Sequence, residues 1–269
     1  MIVGIDPPVG SLVAVVAHPD DEALIAGGTL ALAAVAGTVA GVVSLTRGEL
    51  GPIADGSLAG GETLAEARVR ELGDSASALG LRWAQCLRFP DGELAWADVR
   101  AAGHELAEVL RPHGPAVLLT FGEDGLYGHP DHVATRLIAV AAARLLSPSP
   151  LVLEASWAPD LVPQLVAAAA ARGLPVDLWG LDPEAFGSAR RDPAATIDVR
   201  PVLARKLRAL RSHRSQLGSE HLLAALPHDL AARFLGAETW HGGGSGAVQE
   251  LRRLTGSLVL MGRGMPHDG

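Results

Sequence analysis

Two short stretches of the chain hold side chains whose types and spacing can do chemistry. The first is HPDDE at 18–22, with His18, Asp20, Asp21 and Glu22 directly after the apolar run VAVVA. The second is YGHPDH at 127–132, with Tyr127, His129, Asp131 and His132. His18 and Asp21 are three positions apart, as are His129 and His132. Near a helix start, one turn can aim such a pair into the same space. A divalent cation in a hydrolytic site needs imidazoles and a carboxylate, with one position left for water. His18, Asp21 and one histidine of the second stretch supply that set. The adjacent Asp20 then points elsewhere and can take a proton from water acidified by the cation. The other histidine can stabilise or protonate an oxyanion, and Asp131 can hold that ring in one tautomer. The chemistry expected is attack of activated water on an acyl carbon. Either stretch alone reads more simply as a cap at a strand–helix junction; it is their coincidence that points to a metal site. Glu22 reads as a first-turn glutamate suited to the helix dipole.

For the stretches to meet, the fold must bring their loops to one edge. Strands are expected at 11–17, 38–46, 83–89, 116–121 and 151–157, from short apolar runs bounded by turn residues. Helices are expected at 22–35, 62–79, 95–110 and 133–146. This alternation predicts an α/β fold, a Rossmann-like three-layer sandwich with a mainly parallel sheet. The functional crevice of such a sheet lies beyond the carboxyl ends of its strands. The loops 18–22, 47–52, 90–93 and 122–132 each follow a strand and should open there. Further on, a helix is expected over 160–172, irregular chain over 175–192 and an edge strand over 196–199. An amphipathic helix should follow over 201–217, with its Arg and Lys positions toward solvent. HGGGSG at 241–246 reads as a flexible connector, giving one domain over 1–240 and a connector and tail over 241–269.

The 269 residues suit one sizeable domain, and a net charge of −8 argues against nucleic acid as a partner. Cys86 is the only cysteine, which excludes an internal disulfide and a cysteine-based zinc site. No stretch has the length of a membrane span or the pattern of a secretory signal, so a cytoplasmic location is expected. Lys206 is the only lysine against many arginines, a bias read as genomic.

AHPDDE after the first strand, together with GHPDH downstream, resembles the PIG-L/LmbE-like family of zinc-dependent N-deacetylases. LTRGELG, EARVRELGDSASALG, PDGEL and RKLRALRSHRSQL extend the likeness over residues 11–217. The resemblance implies zinc ligands at His18, Asp21 and His132, a general base at Asp20 and an oxyanion-stabilising histidine at His129. It further implies an assisting Tyr127 and sugar contacts from Glu49, Arg68 and Asp91. Zinc rests on this resemblance, because two histidines and an aspartate also accommodate Fe2+, Co2+ or Mn2+. The implied partner is a small N-acylated amino sugar or glycoside that loses its N-acetyl group. The alternatives are an amidase for a larger acyl group and a non-catalytic sugar-binding module. His213 has a dipole reason to end a helix. His104, His113, His221, His228, His241 and His267 read as surface or loop residues.

Overall fold

The first apolar run folds as strand β1 (Ser11–Val16), buried along its whole length. A strand buried at every position is covered on both faces, as a parallel sheet between helix layers allows. The computed structural model describes residues 10–54, 56–58, 60–188, 193–256 and 259–260; the end of the expected tail, with His267, lies outside them. The further strands are β2 (Ala40–Ser44), β3 (Trp83–Cys86), β4 (Pro115–Phe121), β5 (Leu151–Ser156), β6 (Ala195–Asp198), β7 (Ala237–Gly242) and β8 (Val259–Leu260). The helices of the first half are α1 (Asp21–Ile25), α2 (Gly27–Val35), α3 (Leu64–Leu79), α4 (Val99–Leu110), α5 (Gly125–Gly128) and α6 (Pro130–Ala143). Those of the second half are α7 (Leu161–Ala170), α8 (Leu203–Leu210), α9 (Leu222–Ala225), α10 (His228–Phe234) and α11 (Ala247–Thr255).

The strands form one sheet in the order β3-β2-β1-β4-β5-β7-β6-β8. The block from β3 to β5 is parallel, and β7, β6 and β8 add antiparallel pairings. This is the mostly parallel α/β architecture expected. From β1 the chain builds outward through β2 and β3, then returns to the other side of β1 for β4 and β5. That reversal opens a crevice at the carboxyl ends of β1 and β4. The two chemistry-bearing loops leave those two ends.

Local signals fix several elements. Thr63 and Glu66 form a reciprocal capping box at the start of α3, and Gly80 ends the helix at φ 83°. The helix expected over 22–35 is instead broken at Ala26, where φ is −132°. The break creates a second helix N-terminus, whose free N–H groups need acceptors. Glu238 of β7 provides them: its carboxylate accepts from the Gly28 and Thr29 N–H groups at 2.7 and 2.8 Å and from Thr29 Oγ1. Lys206 Nζ donates to the same carboxylate at 2.7 Å. Lys206 is therefore buried, not in solvent.

Three other expectations are corrected. The helix predicted over 201–217 stops at Leu210, and the chain then turns back toward the crevice. β6 is no edge strand, because it lies between β7 and β8. The stretch 241–246 is no free connector: His241 and Gly242 pair with β5, and α11 follows with Leu251 and Leu254 buried. The expected domain boundary thus falls inside a strand. Among the described residues no helix is long and apolar enough to cross a membrane.

Candidate active site

His18, Asp21 and His132 come together at the β1/β4 crevice, with one potential ligand atom of each within 4.8 Å of the others. All three side chains are buried. His132 lies in the first turn of α6, which Pro130 starts and which the His129 ring caps by accepting from the Asp131 N–H at 3.2 Å. The His132 ring stacks on Phe121, at the end of β4, at 3.9 Å.

The hydrogen bonds fix which ring atoms are free. Nδ1 of His132 is 3.0 Å from the Gly125 carbonyl, which can only accept, so Nδ1 carries the proton. Nε2 then presents a lone pair. It is buried, makes no hydrogen bond and lies 3.3 Å from Asp21 Oδ1. Two lone pairs facing each other call for positive charge between them. On His18, Nε2 faces Asp91 Oδ1 at 3.1 Å and Asp131 Oδ2 at 3.4 Å, leaving Nδ1 toward Asp21. Carboxylates behind a ligating imidazole orient it and raise its basicity. The donor set therefore fits a divalent cation such as zinc. Burial pushes Asp21 up, but the imidazoles of His132 and His18 outweigh it and hold its carboxyl well below the usual range. Burial likewise lowers His18, yet Asp131, Asp21 and Asp91 outweigh it and raise the ring well above its ordinary value.

Asp20 does not join this set. Its φ of 131° is one that non-glycine residues rarely adopt and marks stored strain. Three contacts impose it. Arg68 donates to the Pro19 carbonyl at 2.6 Å and lies 3.1 Å from Asp20 Oδ2, and Glu22 accepts from the Asp20 N–H at 3.0 Å. Burial raises the Asp20 carboxyl to about 6 despite the Arg68 charge. Glu22 does more than favour a helix dipole. Fully buried, it accepts from Ser75 Oγ and pairs with His213 Nε2 at 2.8 Å. His213, read above as a helix-end residue, is thus tied into the site from 191 residues away. Its neighbours follow: Ser215 donates to Glu71 and Gln216 accepts from Arg68. The HRSQ segment was the available signal. Two further histidines expected at the surface, His221 and His241, are buried.

His129 and Tyr127 line the same cavity as Asp20. Because His129 Nδ1 accepts a hydrogen bond, its Nε2 carries the proton. Burial, with the nearby His132 and His18, pushes His129 down to about 4. The Asp131 carboxylate does not hold this ring as expected; it accepts from the Gly92 and Leu94 N–H groups and faces His18. It is the Asp131 backbone that sets the His129 tautomer. Burial pushes the Tyr127 phenol up, so it stays protonated.

The expected sugar-contacting residues divide. Arg68 is buried, not on a solvent face, and lines the cavity with Asp91. Most of their polar atoms are already engaged, Arg68 also with the Gly48 carbonyl and Asp91 also with the Leu50 N–H. Glu49 turns away to accept from the Asp91 N–H at 3.2 Å. Gly48 sits at φ 65°, and a Cβ there would lie 2.5 Å from the Arg68 guanidinium carbon. Gly48→Ala should therefore cost at least about 1–2 kcal/mol from its backbone alone, read as a lowered urea midpoint. An unchanged midpoint would show that the loop is not wrapped on Arg68.

A cavity of about 330 Å³ lies over the set. Residues 13–143 match the family model described as PIG-L, GlcNAc-PI de-N-acetylase. A protein of Catenulispora acidiphila named 1D-myo-inositol 2-acetamido-2-deoxy-alpha-D-glucopyranoside deacetylase 2 is 32% identical over 86% of this chain and 88% of its own. The deacetylase of the same substrate name from Nakamurella multipartita is 35% identical over 77% of this chain and 79% of its own. Among solved structures, N,N'-diacetylchitobiose deacetylase from Pyrococcus horikoshii superposes with a TM-score of 0.57 at 25% identity, covering 86% of this chain and 82% of that one. The fold, the two motif loops and these likenesses agree, and the chain belongs to the PIG-L/LmbE-like family.

Proposed function

We propose that the protein is a metal-dependent hydrolase that removes the N-acetyl group from an N-acetylglucosamine-type amino sugar or glycoside. The observation that carries this reading is the meeting of the His18, Asp21 and His132 donor atoms, with Asp20 and His129 lining the same cavity. Relatives named as deacetylases of a 2-acetamido-2-deoxyglucopyranoside and of N,N'-diacetylchitobiose support the substrate class.

Zinc is the proposed ion, held by His18, Asp21 and His132; bound there it acidifies water and polarises the amide carbonyl. Asp20 takes one proton from the attacking water as the water oxygen bonds to the acyl carbon. His129 donates its Nε2–H to the carbonyl oxygen as negative charge gathers there, with the Tyr127 hydroxyl as a second donor. The C–N bond then breaks. The proton held by Asp20 passes to the departing nitrogen, giving the free amine and acetic acid, which loses its remaining proton to solvent and leaves as acetate. Arg68 and Asp91 act mainly as positioning residues, Arg68 on Asp20 and Asp91 on His18, while Glu49 holds Asp91. The faces of Arg68 and Asp91 that line the cavity are where sugar hydroxyls meet them.

Chelator treatment should abolish acetate release from N-acetylglucosamine and its glycosides, and re-addition of zinc, or of Fe2+, Co2+ or Mn2+, should restore it. His132→Ala should lose bound metal and activity together, by elemental analysis and an acetate assay. A metal-replete protein that releases no acetate from any N-acetylated amino sugar sinks the reading.

A further inference from the structure

The cavity is lined by two kinds of side chain. His18, Asp20, Asp21 and His129 are polar. An apolar wall is built by Leu24, Leu210, Leu217, Leu223, Trp179 and Leu181. These come from α1, the end of α8, the turn after it, α9 and the segment before β6. At the same cavity Leu50 stands 74% exposed beside Pro52, extending the apolar surface outward. The wall is held in place. Trp179 sits at φ 54°, which an aromatic residue rarely adopts. Its turn is closed by the Gly180 N–H on the Asp177 carboxylate at 3.0 Å and by the Leu181 N–H on the Leu178 carbonyl at 2.9 Å. Its indole packs on the buried His221 ring at 4.3 Å. Gln216 is the one amide side chain lining the cavity, and both its ends are committed, to Arg68 and to the Pro52 carbonyl.

A polyol laid against such a wall would surrender hydrogen bonds to water and find few in return. An apolar group laid there is favoured for the same reason. Building on the hydrolase reading above, we infer that the preferred substrate carries an apolar alkyl or aryl substituent on its N-acylated amino sugar. That substituent would lie along Trp179, Leu217 and Leu223. It is either the group on the anomeric oxygen or a longer acyl chain on nitrogen; both present the same chemistry to the wall.

The test compares carboxylate release, as kcat/KM of the zinc enzyme, on N-acetylglucosamine, its octyl, phenyl and inositol glycosides, and N-octanoylglucosamine. At least about a ten-fold gain over N-acetylglucosamine is expected for an apolar substrate, since even one methylene in an apolar pocket is worth about that much. The inositol glycoside should gain less. A gain on the octyl and phenyl glycosides places the wall beside the anomeric position; a gain on the N-octanoyl sugar places it beside the acyl group. Trp179→Ala and Leu223→Asn, measured separately, should each reduce the apolar-to-unsubstituted ratio several-fold, a ratio that cancels losses of folded enzyme. Equal rates on all the substrates, or a lead for the inositol glycoside, would overturn the inference while leaving the deacetylase reading intact. Release from none of them would overturn that reading, and this inference with it.

Discussion

Asp20→Asn should slow acetate release by about a hundred- to ten-thousand-fold, the usual contribution of a general base, while leaving bound metal at the wild-type level. Asparagine keeps the shape of the side chain, can still accept from Arg68 and tolerates positive φ better than most residues. It cannot take a proton. Asp20 is the carboxylate to test because it lines the cavity beside the His18–Asp21–His132 cluster without being one of its clustered donors. Rate assays and elemental analysis on one preparation separate the outcomes. A variant that keeps more than about a tenth of the rate would rule Asp20 out as the proton acceptor. One that loses its metal would show Asp20 to be part of the ligand set.

Lys206→Met should cost about 3–5 kcal/mol of folding stability, because it leaves the Glu238 carboxylate buried without its counter-charge. Lys206 and Glu238 are both almost wholly buried, and the same carboxylate caps the start of α2. Adding Glu238→Gln should recover part of the loss, since a neutral amide removes the buried charge while its oxygen still accepts from an N–H of that helix start. Urea unfolding of the two variants checks this. A loss below about 1 kcal/mol for Lys206→Met would mean that water or a rearrangement reaches the carboxylate.

The parts of the molecule legible in the sequence were those written locally. The strand ends with their ionisable loops at 18–22 and 127–132, and the alternation over 11–157, announce both the parallel sheet and the cluster of His18, Asp21 and His132. What the sequence concealed depends on contacts across long separations. Glu22 meets His213 because the chain after α8 packs back over α3, a placement no window around either residue contains. Lys206 was less hidden: it falls on the stripe Leu203, Leu207, Leu210, so periodicity alone puts it inside. The charge of a lysine points the other way, toward solvent, and only the Glu238 carboxylate on the distant β7 reverses that. The glycines of 241–246 masked a strand end, because a glycine-rich stretch looks the same whether it is loose or closely paired.

His129 caps α6 and His132 lies in its first turn, their rings stacked 4.6 Å apart. The offset between these two rings is thus set where α6 begins, by the His132 N–H on the His129 carbonyl at 3.1 Å and by the ring stack. Breathing of the mouth, or wholesale replacement of its lining over evolutionary time, can alter what is admitted without changing that bite. One arrangement of the two rings can in this way lie beneath differently lined mouths.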